Sequence, residues 1–258
     1  MRSSRLPPRS ADAEKGGSAL SAPSSAAPPD GTLFVVSVPI GDPDDITLRA
    51  LRVLRSVSLI VAENARISRN LLALHAIDTE IVSLAPRHGT PALAAALGHL
   101  GAGRDVALIA DSGTPTVADP GLRLIQAAIQ QNHRVTAVPG ATACLAALVL
   151  SGLSATPFHF LGVPPRKRTE RRLFFSALCA EPCTSVLYES PRCLRATLRE
   201  LSDCLEATRK IVVVCDLTHT HERIFRGTMN SALTEFKDIA FLGAYTLIIS
   251  GKPSSDNS

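Results

Sequence analysis

From residue 31 onward, short runs of β-branched and other apolar residues alternate with longer stretches whose apolar residues recur every three or four positions. This alternation predicts an α/β fold, because strands that are apolar on both faces need helices to cover them. Connections long enough to hold a helix also favour parallel strands. Before residue 151 the pattern predicts strands at 33–38, 58–62, 81–84, 105–110 and 135–138, and helices at 47–56, 66–75, 91–101, 122–131 and 141–151.

A stretch of small residues at 151–157 interrupts both the strand pattern and the helix pattern, and it is typical of a linker. The chain has 258 residues, of which 45% are hydrophobic, and this is enough for two cores of ordinary size. We therefore predict two sequential α/β domains, at 31–151 and 152–251. In the second domain the pattern predicts strands at 158–161, 185–188, 210–215, 223–227 and 241–249, and helices at 168–180, 191–205 and 230–236.

Both ends of the chain differ in composition from these domains. Residues 1–30 are rich in Ser, Ala, Pro and Arg and lack the apolar run of a signal peptide, so we predict a disordered N-terminal extension. The polar residues 252–258 are predicted to fray. Since no apolar run approaches the roughly 18 residues of a membrane span, we expect a cytoplasmic protein without a membrane partner.

The cysteines favour neither zinc nor disulfides. All six, at 144, 179, 183, 193, 204 and 215, lack the paired C-x-x-C spacing of a zinc site. We expect reduced thiols that pack as small apolar side chains, with Cys179 and Cys183 on one helix face, and no metal site. The sequence also lacks the G-x-G-x-x-G and G-x-x-x-x-G-K-[ST] patterns of nucleotide-binding loops.

Three predicted strands lead into helices through loops rich in Gly, Pro and small residues, at 38–47, 111–121 and 138–144. A parallel sheet brings such loops to one edge, where α/β proteins bind ligands. The second loop begins Asp-Ser-Gly-Thr-Pro. Its glycines let the backbone approach a ligand closely, and its carboxylates accept hydrogen bonds. We predict a ligand site at this edge, although the first or third loop alone is equally explained as a tight turn.

A basic run follows the linker. It contains five positive side chains and one negative, a local net charge of +4 that equals the net charge of the whole chain. Such a segment suits the phosphates of a nucleic-acid backbone, although charge runs are more often simply solvated. The candidate RNA-binding residues are Arg166, Lys167, Arg168, Arg171 and Arg172.

Taken together, these motifs resemble the tetrapyrrole methylase superfamily, and within it most closely the bacterial methyltransferases of small-subunit ribosomal RNA. The resemblance covers about residues 31–251. The matching segments are 39–41 with 45–51, 111–115 with 119–121, 139–140, 162–172 and Tyr188-Glu189-Ser190-Pro191. The basic segment and the Tyr-Glu-Ser-Pro motif separate this branch from the porphyrin and corrin enzymes.

The resemblance implies a tetrapyrrole-methylase fold with the ligand cleft between two domains. It also implies a homodimer, S-adenosylmethionine as methyl donor, and transfer to a cytidine ribose 2′-hydroxyl in ribosomal RNA or the small ribosomal subunit. The implied donor-binding residues are Pro39, Ile40, Gly41, Asp111, Gly113, Thr114, Thr142, Ala143 and Cys144. Because a ribose hydroxyl is a poor nucleophile that needs a base, Glu63 and Asp119 are the candidate catalytic residues.

Two segments differ from the family pattern. The chain has Glu63-Asn64-Ala65-Arg66 where relatives have Glu-Asp-Thr-Arg, and residues 85–90 replace a segment rich in His and Asn. Two alternatives therefore stay open. One is a non-catalytic or re-purposed paralogue that binds donor or RNA. The other is a small-molecule methylase of tetrapyrrole type, which would have no use for the basic run.

Overall fold

The computed structural model describes residues 31–84, 89–237 and 243–252. In its first half, strand and helix alternate as predicted. The strands are β1 (Thr32–Val36), β2 (Leu59–Ala62), β3 (Ile81–Ser83), β4 (Val106–Ile109) and β5 (Arg134–Val138). The helices are α1 (Leu48–Ser56), α2 (Ala65–Leu74), α3 (Gly89–Gly101), α4 (Leu122–Gln130) and α5 (Ala143–Ser151).

The five strands form one parallel sheet in the order β3-β2-β4-β1-β5. Both of its faces are buried. Helices α1 and α2 pack on one face against residues such as Val36 and Ile60, and α3 and α4 pack on the other against residues such as Leu33 and Leu108. Burial on both faces explains the nearly continuous apolar runs in the sequence.

The connections of β1 and β4 leave the sheet on opposite faces. The chain runs from β1 into α1 on one face, and from the neighbouring β4 into α4 on the other. Adjacent strands with divergent connections open a crevice at their carboxyl ends, which is where open α/β sheets bind ligands. The two loops that meet there are those at 38–47 and 111–121.

The second half forms a mixed sheet. Its strands are β6 (Phe158–Gly162), β7 (Thr184–Glu189), β8 (Lys210–Cys215), β9 (Arg223–Thr228) and β10 (Tyr245–Ile249), and its helices are α6 (Arg168–Ala180), α7 (Leu194–Ser202) and α8 (Met229–Glu235). The strand order is β6-β7-β10-β8-β9. Strand β6 pairs parallel with β7, whereas β10 pairs antiparallel with both β7 and β8, and β9 pairs antiparallel with β8.

The predicted and observed elements differ at a few ends. The helix predicted at 191–205 begins only at Leu194, because a turn closed by the Cys193 N–H and the Ser190 carbonyl (3.1 Å) precedes it. The strand predicted at 241–249 is described from Tyr245. Residues 1–30 and 253–258, for which we predicted disorder and fraying, lie outside the described residues, as do 85–88.

Helix α5 packs against the second sheet, not the first. Its Cys144, Ala147 and Leu148 are buried in one apolar cluster with Val186 and Ile248 of that sheet. The helix thereby joins the two halves of the chain. We propose a domain boundary between β5 and α5, rather than at the small-residue stretch that follows α5.

The expectation of six reduced cysteines is wrong for two of them. Cys179, near the end of α6, and Cys204, just after α7, form a disulfide with a Cα–Cα distance of 6.0 Å. The packing of α6 beside α7 brings them together, and no sequence spacing signals this. Cys183 does not share a helix face with Cys179, since α6 ends at Ala180.

Among the described residues, no helix is both long and apolar enough to cross a membrane.

Candidate active site

Backbone hydrogen bonds lock the loops after β1 and β4 together. The Val38 N–H donates to the Gly113 carbonyl at 2.9 Å, and the Gly113 N–H donates to the Pro39 carbonyl at 3.2 Å. Gly113 has a φ of +73°, in the left-handed region that favours glycine. The paired loops therefore form one rigid rim of the crevice, which we call the lip and which comprises Val38, Pro39 and Gly113.

The loop after β5 joins the same lip through hydroxyl groups. The Thr114 hydroxyl donates to the Ala141 carbonyl at 3.1 Å and lies 2.9 Å from the Ser37 hydroxyl. All three loops singled out in the sequence thus meet at one edge of the parallel sheet, as the topology predicts.

Three carboxylates gather beside this lip. The Asp111 N–H donates to Glu63 Oε2 at 3.4 Å, and the Asn64 N–H donates to Asp111 Oδ1 at 3.0 Å. Burial raises the pKa of Asp119 to about 6, and the negative charges of Glu63 and Asp111 add to this effect. Burial also raises the pKa values of Glu63 and Asp111. The cluster would therefore be stabilised by a cationic ligand.

The second sheet supplies the facing wall. The carboxyl end of β7 brings Tyr188 to the cleft, where its phenol oxygen accepts a hydrogen bond from the Cys144 N–H at 2.9 Å. Because β10 runs antiparallel to β7, its amino end, with Tyr245 and Thr246, lies at the same edge. Burial raises the pKa of Tyr188, so the phenol stays protonated and able to donate.

Between the walls lies a cavity of about 530 Å³. Six predicted site residues line it: Ile40, Gly113, Thr114, Asp119, Thr142 and Ala143. Five other predicted donor-binding or catalytic residues do not line it: Pro39, Gly41, Glu63, Asp111 and Cys144. Among these, the Cys144 side chain is buried in the apolar cluster under α5.

Gly41 lies at a close contact between two loops. A Cβ at this position would lie 2.5 Å from the Leu217 carbonyl oxygen and 2.6 Å from Thr218 Oγ1. The next residue, Asp42, donates its N–H to Thr218 Oγ1 at 3.0 Å. Gly41 therefore permits close contact between the first loop and the loop after β8.

Several cavity residues were not named individually as site residues, although Ser112 and Val117 lie in the loop 111–121 that the sequence predicted as a ligand site. These cavity residues are Ser112, Val117, Val163, Tyr188, Glu189, Ser190, Pro191, Gly243, Ala244, Tyr245 and Thr246. The Tyr-Glu-Ser-Pro motif follows a strand, as the other site loops do, and that signal could have placed it here. The start of β10 gives no such signal, because only its antiparallel pairing brings it to the cleft.

The basic run divides into two parts. Arg166, Lys167, Arg168 and Arg172 are exposed. Arg171 points inward, where its Nε donates to Glu200 at 2.7 Å, its Nη2 donates to the Thr197 hydroxyl at 2.6 Å, and the same Nη2 lies 3.5 Å from Glu189. Since Glu189 lines the cavity, Arg171 supports the cavity wall and is not available on the surface.

The parallel sheet, the mixed sheet and the cavity between them define an α/β enzyme with room for a small ligand. A sequence profile of the Tetrapyrrole (Corrin/Porphyrin) Methylases matches residues 32–233. The chain belongs to this family, whose members use S-adenosylmethionine as methyl donor.

The chain is 39% identical over 229 residues to a Ribosomal RNA small subunit methyltransferase I of Synechocystis sp., which covers 88% of this chain and 81% of that protein. It is 37% identical over 226 residues to the protein of that name from Micromonospora olivasterospora, covering 87% and 72%. A solved structure of cobalt precorrin-4 methyltransferase matches with a TM-score of 0.63 at 21% identity, covering 86% of this chain and 96% of that one. At that identity the structural match supports the fold alone.

Proposed function

We propose that this protein transfers a methyl group from S-adenosylmethionine to the ribose 2′-hydroxyl of a cytidine in small-subunit ribosomal RNA. The observation that carries the proposal is a donor-sized cavity with Asp119 in its wall, next to a segment of exposed cations. Val163 lines the cavity, and the first of these cations, Arg166, follows it closely in the chain.

The residues of the cavity fit the donor. Its volume lies within the roughly 300–1,000 Å³ range of small-ligand sites. Ile40 and Ala143 offer apolar contacts, and the left-handed backbone at Gly113 lets the lip approach the ligand. When bound, S-adenosylmethionine supplies an electrophilic methyl group on a positively charged sulfur. The carboxylates Glu63, Asp111 and Asp119 complement that charge.

We assign Asp119 as the general base that accepts the proton of the ribose hydroxyl. It lines the cavity, whereas Glu63 does not and instead accepts a hydrogen bond from the Asp111 N–H. With its pKa raised to about 6, the Asp119 carboxylate is a stronger base than an exposed aspartate yet is ionised at neutral pH. Glu63 and Asp111 act through it, since their charges help to keep its pKa high.

The altered Asn64 keeps a structural function. Its side-chain oxygen caps α2 by accepting the Arg66 N–H at 3.1 Å, and its own N–H holds Asp111. The carboxylate lost at this position is therefore replaced by another good cap residue. The substitution therefore keeps the start of α2 and the contact with Asp111 in place. The side chains of the second altered segment, at 85–90, lie outside the described part of the structure.

Radiolabelled methyl transfer tests the activity directly. With labelled S-adenosylmethionine we expect label in small-subunit RNA, at a nucleotide resistant to alkaline cleavage because its 2′-oxygen is methylated. Donor binding in calorimetry without any incorporated label, on either naked RNA or the assembled subunit, would favour the non-catalytic alternative.

Replacing Arg166, Lys167 and Arg168 together by Gln is expected to weaken binding of small-subunit RNA and leave donor affinity unchanged. Each lost phosphate contact reduces the slope of log K against log salt by about 0.7–0.9, so the slope should fall by about 2. Filter binding at several salt concentrations measures this. A matched control replaces the exposed Arg49, Arg52 and Arg69, which carry the same charge on α1 and α2. An equal loss of RNA affinity in both variants, or no loss of RNA affinity at low salt, would favour a small-molecule methylase.

Replacing Gly113 by Ala is expected to weaken S-adenosylmethionine binding about tenfold or more. A left-handed backbone is about 1–2 kcal/mol less favourable for alanine, so we expect the loop of the free variant to relax out of this conformation. Restoring the conformation on binding would then cost about as much, and about 1.4 kcal/mol is a tenfold change in affinity. The new Cβ would also lie 3.2 Å from Ile40 Cγ2. Calorimetry with the donor measures the effect. Gly98→Ala, on α3 with nothing within 4 Å of its Cβ, is the control and should bind normally.

We further propose that the protein works in the cytoplasm as a homodimer. The family resemblance supports the dimer, and α5 carries exposed apolar side chains, Leu145 and Val149, that are suited to such an interface.

A further inference from the structure

A second group of reactive side chains lies away from the cleft, at the amino ends of β6 and β7. His159 belongs to β6, Glu181 caps the carboxyl end of α6, and Cys183 precedes β7. One imidazole nitrogen, one carboxylate oxygen and one sulfur from these residues all lie within 4.8 Å of one another. Among the residues that the structure describes, it is the one cluster of three or more such ligands.

The backbone holds this group in place. The β6–β7 register pairs His159 with Ser185, so the histidine lies beside the start of β7 and close to Cys183. The Lys252 N–H donates to the Glu181 carbonyl at 2.8 Å, and the Cys183 N–H donates to Glu181 Oε1 at 3.2 Å. The other carboxylate oxygen, Oε2, lies 2.9 Å from His159 Nδ1. The three side chains therefore converge because their main chains are fixed.

The donor set has the chemistry of a transition-metal site. Imidazole, thiolate and carboxylate are the ligands of zinc in proteins, with metal–ligand distances of about 2.0–2.3 Å. Ligand atoms of one tetrahedral zinc ion are then roughly 3.3–3.8 Å apart, and the ligand atoms of these three residues lie within 4.8 Å of one another. Thiolate and imidazole together select zinc over magnesium or calcium, which prefer oxygen.

We propose that His159, Glu181 and Cys183 bind one Zn²⁺ ion, with water as the fourth ligand. The site lies at the edge of the second sheet opposite the cavity, since Tyr188 and Pro191 follow from the carboxyl end of β7. The proposed metal site is therefore separate from the site of methyl transfer. Because β6 is an edge strand that follows the small-residue linker, the ion would fasten it to the turn between α6 and β7.

Cobalt titration of the full-length, chelator-treated protein tests the site, because Co²⁺ bound to a thiolate has a near-ultraviolet charge-transfer band. We expect a band that saturates at one equivalent of Co²⁺ and is displaced by Zn²⁺. Zinc should also raise the midpoint of thermal unfolding, because it binds the folded state. Methyl transfer below that temperature should not change.

Cys183→Ser is expected to abolish the band and the zinc-dependent rise in midpoint. Cys193→Ser, which removes an exposed free thiol elsewhere, should retain both. If Cys183→Ser fails to fold, His159→Ala is tested in its place, because the His159 side chain is 51% exposed and its loss should not disturb the fold. The cobalt affinity of His159→Ala should fall at least about tenfold. No band in the unmodified protein, or a band that survives Cys183→Ser or His159→Ala, would overturn the proposal.

Discussion

Replacing Asp119 by Asn is expected to lower the rate of methyl transfer by about 10²–10⁴-fold, the usual contribution of a general base. The amide has nearly the same shape but cannot accept the proton of the ribose hydroxyl. The rate of the unmodified enzyme under kcat/KM conditions should rise with pH through about 6, as Asp119 ionises, and the variant should lack this rise. Single-turnover transfer from labelled donor over pH 5–8 measures both.

The folding stability of the Asp119→Asn variant provides a control for the rate measurement. The pKa of Asp119 is higher in the folded protein than its usual 3.8, so its contribution to stability is present below pH 3.8 and is lost as pH rises through about 6. Asp119→Asn should therefore be at least as stable as the unmodified protein at pH 8, despite its low activity. Asp44→Asn, on the exposed turn after β1, should leave activity unchanged. An Asp119→Asn enzyme with near-normal rates would remove Asp119 as the base.

Replacing Arg171 by Ala is expected to lower the free energy of unfolding by about 3–5 kcal/mol, the usual effect of removing one partner from a buried ion pair. The variant leaves the Glu189 carboxylate, which is only 3% exposed, without its guanidinium partner. It also removes hydrogen bonds that join α6 to Thr197 and Glu200 on α7. Urea unfolding followed by circular dichroism measures the change.

Arg172→Ala is the matched control, because this neighbour in the same basic run is exposed. Its effect on stability should stay within about 0.5 kcal/mol. Arg171→Lys should rescue only part of the loss, since a single ammonium cannot replace the planar fork that reaches both glutamates and Thr197. Equal stability of the Arg171→Ala and Arg172→Ala variants would show that Arg171 does not support the wall.

The parallel half of the fold was accessible from sequence because its strands are buried on both faces and its connections are regular. The same regularity explains why the sequence alone predicts that the loops with Ile40, Gly113 and Thr142 lie together. Parallel strands bring every such loop to one edge, so a prediction of topology is also a prediction of the site.

The parts that sequence reasoning missed depend on contacts between distant segments. Tyr245 reaches the cavity through antiparallel pairing, and no local pattern records the partner of a strand. Arg171 and Arg172 are the same residue type and are adjacent in the sequence. The rotation of about 100° between successive helical residues nevertheless directs Arg171 toward Glu189 and Arg172 toward solvent. Cys179 and Cys204 meet through helix packing, and His159 meets Cys183 through strand register.

The position of β10 at the centre of the second sheet has a consequence for synthesis of the protein. It is the final strand among the described residues, yet it separates β7 from β8 and provides one wall of the cavity. A nascent chain that still lacks β10 has only part of the pocket and leaves edges of β7 and β8 unpaired. The growing polypeptide should therefore gain donor affinity late and abruptly, and until then its open sheet edges are the point at which chaperones would have to protect it.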